Sequence, residues 1–286
     1  MHHDIRMHAD RRPRVAVVAA LAAVGLALTG CGAESSGTSE TESATSNTPA
    51  PTTAQRSGEV EFDGNTVSYS CAGEGGPAVM LEAGSDSPGT DSWPPAFIAP
   101  IAEQTTVCTY DRLGTGSGSS APPDHPRIFE DLVGVLDGVL AALELQPPYV
   151  MAGQSAGGNV VVAYAEAHPD RVAALVPIEA YHDDPAEIMA WQADEGFTWE
   201  DNPEHIDIVQ VALEQDAYVM PFGEFPVLVI SATEDGAKAA ENQAHWLGIS
   251  PDSRQVVIEG PHDIQETAPE EVAAEIVDLL AGLDSQ

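Results

Sequence analysis

Lysine occurs once, at Lys238, in a chain of 286 residues, and all basic residues together number 10 against 46 acidic ones. A formal charge of -36 argues against nucleic acid as a partner, because phosphate backbones are gripped by clustered Lys and Arg. The balance is more acidic still beyond Cys31. Four arginines precede that residue, leaving six basic residues against 44 acidic ones in the remainder. Such a charge favours solubility and repels anions. Long apolar runs are missing as well: the uncharged stretch from Val15 to Leu28 has fourteen residues, short of the roughly 20 that a spanning helix needs. No internal repeat is visible. With 43% hydrophobic residues the chain is nevertheless of the globular class, long enough for one large domain or two small ones.

What stands at the N-terminus is an address. Arg11, Arg12 and Arg14, the short apolar run and then small residues make a secretory signal peptide over residues 1–30. The run closes in Leu28-Thr29-Gly30-Cys31, which resembles the lipobox of bacterial lipoproteins and implies cleavage before Cys31 and a diacylglycerol on its sulfur. The resemblance places the mature chain on the extracytoplasmic face of a bacterial cell membrane, held there by the lipid. Residues Gly32 to Ser57 include 12 Ser and Thr and no Val, Ile, Leu, Met or aromatic residue. They cannot bury a core and are read as a linker, with a root-mean-square reach of roughly 25–30 Å. The folded part is then residues 58–286.

Within it, β-rich runs occur at Glu59–Phe62, Thr66–Cys71, Ala78–Glu82, Thr106–Tyr110, Tyr149–Ala152, Val172–Ile178, Val227–Ser231 and Gln255–Glu259. Helical periodicity lies between them. Leu132, Leu136, Val139, Leu140 and Leu143 form one stripe, a helix runs from about Ala156 to Ala167, and a last one carries Val272, Ile276, Leu279, Leu280 and Leu283. Thr267 and Glu270 have the spacing of a capping box before that last helix. Alternation of this kind predicts a mostly parallel sheet covered on both faces. Tyr181 to Phe225 breaks the rhythm. It holds 7 of the 16 aromatics and twelve acids with no Lys or Arg, and reads as a lid insertion.

The strand Tyr149-Val150-Met151-Ala152 runs straight into Gly153-Gln154-Ser155-Ala156-Gly157 and a helix. This is G-x-S-x-G in the context that gives it meaning: a sharp strand-to-helix turn exposes the serine hydroxyl at a helix N-terminus, where negative charge is favoured. A serine needs a base to take its proton, and the base needs an acid to hold it. Among nine histidines, His262 lies just past the last strand, at the same sheet edge as Ser155. Candidates for the acid are Asp235 first, then Glu179 and Glu234, each following a strand at that edge.

These segments resemble the α/β-hydrolase family of serine hydrolases, with the chain order Ser155, Asp235, His262, over nearly all of residues 58–286 except the insertion. Val79-Met80-Leu81-Glu82-Ala83-Gly84-Ser85 matches the strand and turn that supply one oxyanion donor, implying the backbone N–H of Ser85 beside that of Ala156. Tyr110-Asp111-Arg112-Leu113-Gly114-Thr115-Gly116-Ser117 resembles the family's D-R-x-G-x-G-x-S loop, in which Asp111 and Arg112 are read as braces. Two departures concern the rim of the site: Gln154 stands where many members have His, and Ala83-Gly84 where His-Gly is frequent. The resemblance implies an α/β-hydrolase fold, an eight-stranded mostly parallel sheet with helices on both faces and a lid over 181–225. It further implies a carboxylesterase-like enzyme (EC 3.1.1) that works through an acyl-enzyme and needs no metal or organic cofactor. An amide- or peptide-cleaving hydrolase and a catalytically inactive binding protein are the alternatives. In this family the second and fourth strands are neighbours, so Cys71 and Cys108, once exported, are expected to form a disulfide. An ordinary His titrates near about 6.5, so activity is expected to fall as pH drops through roughly 6–7. The acid-rich insertion with Trp191, Phe197, Trp199, Tyr218 and Phe222 suits small neutral or apolar esters better than anionic ones.

Overall fold

The computed structural model describes residues 55–234 and 236–283. The expected signal segment, Cys31, most of the expected linker and Asp235 lie outside the described residues. Eight strands are present: β1 (Gln55–Phe62), β2 (Asn65–Ala72), β3 (Val79–Glu82), β4 (Val107–Tyr110), β5 (Tyr149–Gln154), β6 (Val172–Ile178), β7 (Val227–Ala232) and β8 (Ser253–Ile258). The α-helices are α1 (Pro95–Ala102), α2 (Phe129–Ala142), α3 (Ala156–Ala167), α4 (Pro185–Glu195), α5 (Ile208–Asp216), α6 (Ala237–Gln243), α7 (Ile264–Thr267) and α8 (Pro269–Leu283).

The strands form one sheet in the order β1-β2-β4-β3-β5-β6-β7-β8. β2 is antiparallel to β1 and β4, and every later pairing is parallel. Successive residues of the central strands face opposite layers. Tyr149 and Met151 of β5 join a core with α2 and α3, while Val150 and Ala152 join one with α1 and α8. The α2 stripe works as its spacing suggests. Leu132, Leu136, Val139 and Leu140 are all buried, and each such side chain contributes about 1.5–3 kcal/mol by leaving water.

Two elements differ from the sequence expectation. β1 begins at Gln55, inside the stretch read as linker, because pairing with β2 satisfies its backbone although residues 55–59 bury no side chain. Side-chain polarity alone hides such an edge strand. Thr267 does not cap α8; it is the last residue of α7, and its hydroxyl donates to the Asp263 carbonyl oxygen at 3.2 Å. The start of α8 is instead set by Pro269, whose fixed φ suits a first helical position. Cys71 and Cys108 stand opposite each other across β2 and β4 and are joined as a disulfide.

Because β3 to β8 run in parallel, their carboxyl ends share one edge. The chain leaves β3 to one side for β4 and then crosses to the other side of β3 for β5. That reversal opens a crevice where the loops after β3 and β5 diverge, the usual ligand position in an open α/β sheet.

Candidate active site

Ser155 joins β5 to α3 at φ 53°, ψ -124°, a left-handed conformation that costs a non-glycine residue of order 1–3 kcal/mol. The surroundings hold it there. The Ser155 N–H donates to the Ile178 carbonyl oxygen at 2.9 Å. A Cβ added at Gly157 would overlap the carbonyl oxygens of Glu82 and Ala83, so only glycine lets the start of α3 approach β3 this closely. Ala156 is the first residue of α3, and its N–H has no intrahelical acceptor by position. Ser155 and Ala156 are half-buried.

The turn after β3 lies against this elbow. A Cβ built on Gly84 would stand 3.6 Å from the Ser155 Cβ and 2.5 Å from Gln154 Oε1. Ser85 follows, exposed. Gln154 has a larger role than a rim position suggests: it is buried, with 4% of its surface exposed, and its Nε2 donates to the His262 carbonyl oxygen at 3.3 Å. One amide therefore touches the β3 turn on one side and ties the histidine loop on the other.

His262, half-buried in the loop after β8, has its Nδ1 3.1 Å from Glu179 Oε2. Glu179 is fully buried at φ 50°. Its Oε1 accepts from the Ala232 N–H and from Gln243 Nε2 at 3.0 Å. These bonds leave Oε2 aimed at the imidazole. Of the three acids weighed from sequence, Glu179 is thus at the histidine. Glu234 is exposed, with its N–H donating to the Gly260 carbonyl oxygen at 3.0 Å, and Asp235 lies outside the described residues. The Tyr181 ring is 6.0 Å from that of His262. The five aromatics singled out from the insertion mostly serve one another: Trp191 pairs with Phe197 at 5.2 Å and Tyr218 with Phe222 at 6.0 Å.

Behind the turn sits Arg112, almost wholly buried. Its Nη1 donates to the Ala83 carbonyl oxygen at 2.6 Å and to Glu82 Oε2 at 3.1 Å. Its Nη2 donates to the Gly84 carbonyl oxygen at 2.7 Å and to Glu204 Oε1 at 2.8 Å, and its Nε to Glu204 Oε2 at 2.6 Å. Burial opposes the guanidinium charge, but Glu204 and Glu82 raise its pKa further still. Burial likewise acts to raise the Glu204 carboxyl, and Arg112 outweighs it, so Glu204 sits below the usual range. Glu82 ends above its ordinary value because burial dominates. The sequence reading of Arg112 as a brace is too local: it braces the β3 turn and the insertion as well as its own loop.

A family model described as the alpha/beta hydrolase fold matches residues 73–208. The fold is that of the α/β hydrolases. A Caulobacter segnis protein named as a candidate carbamate hydrolase, RutD, is 37% identical over 89 residues, covering 31% of this chain and 33% of that one. The chain thus spans about a third of the length of the curated relatives it matches first. A thermophilic esterase from Thermogutta terrifontis superposes with a TM-score of 0.61 at 20% identity, over 80% of this chain and 99% of that one. A loop variant of a haloalkane dehalogenase from Bradyrhizobium elkanii superposes with a TM-score of 0.63 at 17% identity, over 81% and 98%. An esterase and a dehalogenase are about equally similar, so the α/β-hydrolase fold does not choose the reaction; the residue at the elbow must.

Proposed function

We propose that this chain is a serine hydrolase that cleaves carboxylic esters through an acyl-enzyme. The observation that carries the reading is Ser155 at φ 53°, on a strained elbow beside a histidine loop tied to it by Gln154. The Ser155 oxygen attacks the ester carbonyl carbon while His262 takes its proton. The tetrahedral oxyanion accepts from the N–H groups of Ser85 and Ala156. Collapse expels the alcohol, protonated by His262, and water attacks the acyl-enzyme by the same route. The carboxylate supported by geometry as the partner of the imidazolium is Glu179. Asp235 is the competing position, and the amide variants Glu179→Gln and Asp235→Asn separate them: loss of up to about 10⁴ in kcat identifies the orienting acid.

Purified Ser155→Ala protein is expected to lose hydrolysis of short p-nitrophenyl esters and labelling by a fluorophosphonate probe. Hydrolysis by that variant at the wild-type rate sinks the assignment, and an unlabelled wild-type serine supports an inactive binding protein. The likeness to a protein named as a carbamate hydrolase favours a second reading, in which the acyl group leaves from nitrogen; kcat/KM for matched ester and carbamate substrates decides between them. Small neutral esters remain the proposed substrates, and the Cys31 lipid the proposed tether to the extracytoplasmic face. Release of Cys31→Ala protein from the membrane fraction tests the tether.

A further inference from the structure

The β3 turn is gripped by two side chains, and one of them comes from the insertion. Arg112 holds the carbonyl oxygens of Ala83 and Gly84. Glu204, from residues 181–225, fixes the guanidinium through both its oxygens, and its Oε1 also accepts from the Asp86 N–H at 3.1 Å. Glu204 is itself anchored. Its carbonyl oxygen accepts from Arg127 Nη1 at 3.2 Å, and Arg127 pairs along its backbone with His205 and Asp207 at 2.7 and 2.9 Å.

Ser85 N–H belongs to the same peptide group as the Gly84 carbonyl oxygen. The cis bonds among the described residues are Gly76-Pro77, Pro147-Pro148 and Met220-Pro221, so the Gly84-Ser85 peptide is trans. In a trans peptide the C=O and N–H point in opposite directions. A guanidinium pinned to the Gly84 oxygen therefore turns the Ser85 N–H away from Arg112. Gly84 abuts Ser155, on the elbow side of the turn. A cation hydrogen-bonded to the carbonyl also polarises the peptide and makes its N–H a stronger donor.

We propose that Glu204 is a positioning residue for the oxyanion donor: acting through Arg112 and the Asp86 N–H, it makes the orientation of the Ser85 N–H depend on the seating of the insertion. The proposal rests on the reading of Ser85 as an oxyanion donor. No atom of Glu204 need touch the substrate, so its loss is expected to act on the transition state and spare ground-state binding.

The test uses the full chain with two variants. Glu204→Gln keeps the shape and removes the charge. Arg112→Lys keeps a cation between Glu82 and Glu204 but loses the fork that reaches both carbonyl oxygens, and serves if Glu204→Gln does not fold. Expected is a fall in kcat of roughly 10–100-fold, near the lower end for loss of one oxyanion donor. KM should stay within about threefold and the pH profile of kcat/KM should be unmoved, since His262 and its carboxylate are untouched. Amide exchange at Asp86, whose N–H donates to Glu204, is expected to accelerate in both variants. Wild-type kcat in a folded variant, or a raised KM at unchanged kcat, overturns the proposal, as does unchanged exchange at the Asp86 amide. Failure of the esterase reading is seen separately, in wild-type protein that neither hydrolyses esters nor labels at Ser155, and the exchange measurement decides the coupling in that case too.

Discussion

The two halves of the insertion between β6 and β7 share a composition and have opposite structures. α4 is capped by the Asp184 carboxylate on the Ala186 N–H at 2.8 Å and closed by Gly196 at φ 68°, yet none of its residues is buried. Met189 is 44% exposed. Eight residues beyond the helix, the strap 203–207 lies against the body of the protein, with Glu204 1% exposed and a Cβ at Gly114 barred by the Pro203 carbonyl. A helix can satisfy its own backbone and needs little from the domain. An irregular strap cannot do so throughout: Asn202 holds the backbone of His205 and Ile206 from nearby, and Arg112 and Arg127 hold the strap from outside the insertion. The acids differ accordingly. Those of α4 are solvated surface charge, whereas Glu204 is neutralised from outside the insertion, so counting twelve carboxylates overstates the field that a substrate meets.

The comparison is broken hardest at the strap. Glu204→Ala leaves the Arg112 charge without its two-oxygen partner and is expected to cost about 3–5 kcal/mol, read as a fall in thermal midpoint of roughly 10 °C in a domain of this size. A scale for that loss comes from a bond remote from both regions. Reducing Cys71–Cys108, 37 residues apart in sequence, is expected to cost about 2–4 kcal/mol; equal midpoints with and without reductant would mean that the bond is not formed in solution.

A smaller effect sits at the foot of α4, where burial raises the Asp183 carboxyl to about 6. The folded protein then binds a proton that the unfolded chain has released, so stability falls as pH rises from the ordinary Asp value through about 6. Asp183→Asn is therefore expected to gain about 1–2 kcal/mol at pH 7–8 and nothing below pH 4. A gain independent of pH would point to packing instead. Smallest of all, Met189→Ser on the exposed face of α4 is expected to stay within about 0.5 kcal/mol. A larger loss would reveal that α4 is held as firmly as the strap.

Much of the site was legible because its signals are local. The elbow is a run of five residues whose glycines and neighbouring strand and helix can be read directly, and His262 follows from being the histidine just past the last strand. The partners of that local chemistry were not. Glu179 ranked second, behind a plausible Asp235, and nothing in the sequence says that Ala232 and Gln243 hold one of its oxygens and leave the other for His262. Tyr181 was overlooked among more conspicuous tryptophans for the same reason: its place near His262 depends on where β6 ends relative to β8.

By itself the sequence determined the alternation of strand and helix, the two-faced core and the serine on its elbow, since each rests on a periodicity or a turn that neighbouring residues enforce. Only the tertiary structure decided that Gln154 ties the histidine loop, that Glu179 reaches His262, and that Arg112 and Glu204 meet across 92 residues on the β3 turn. The physical reason is that a buried charge or amide must find its partner wherever the fold brings one. That partner is fixed by burial and geometry, which no local pattern of residues encodes.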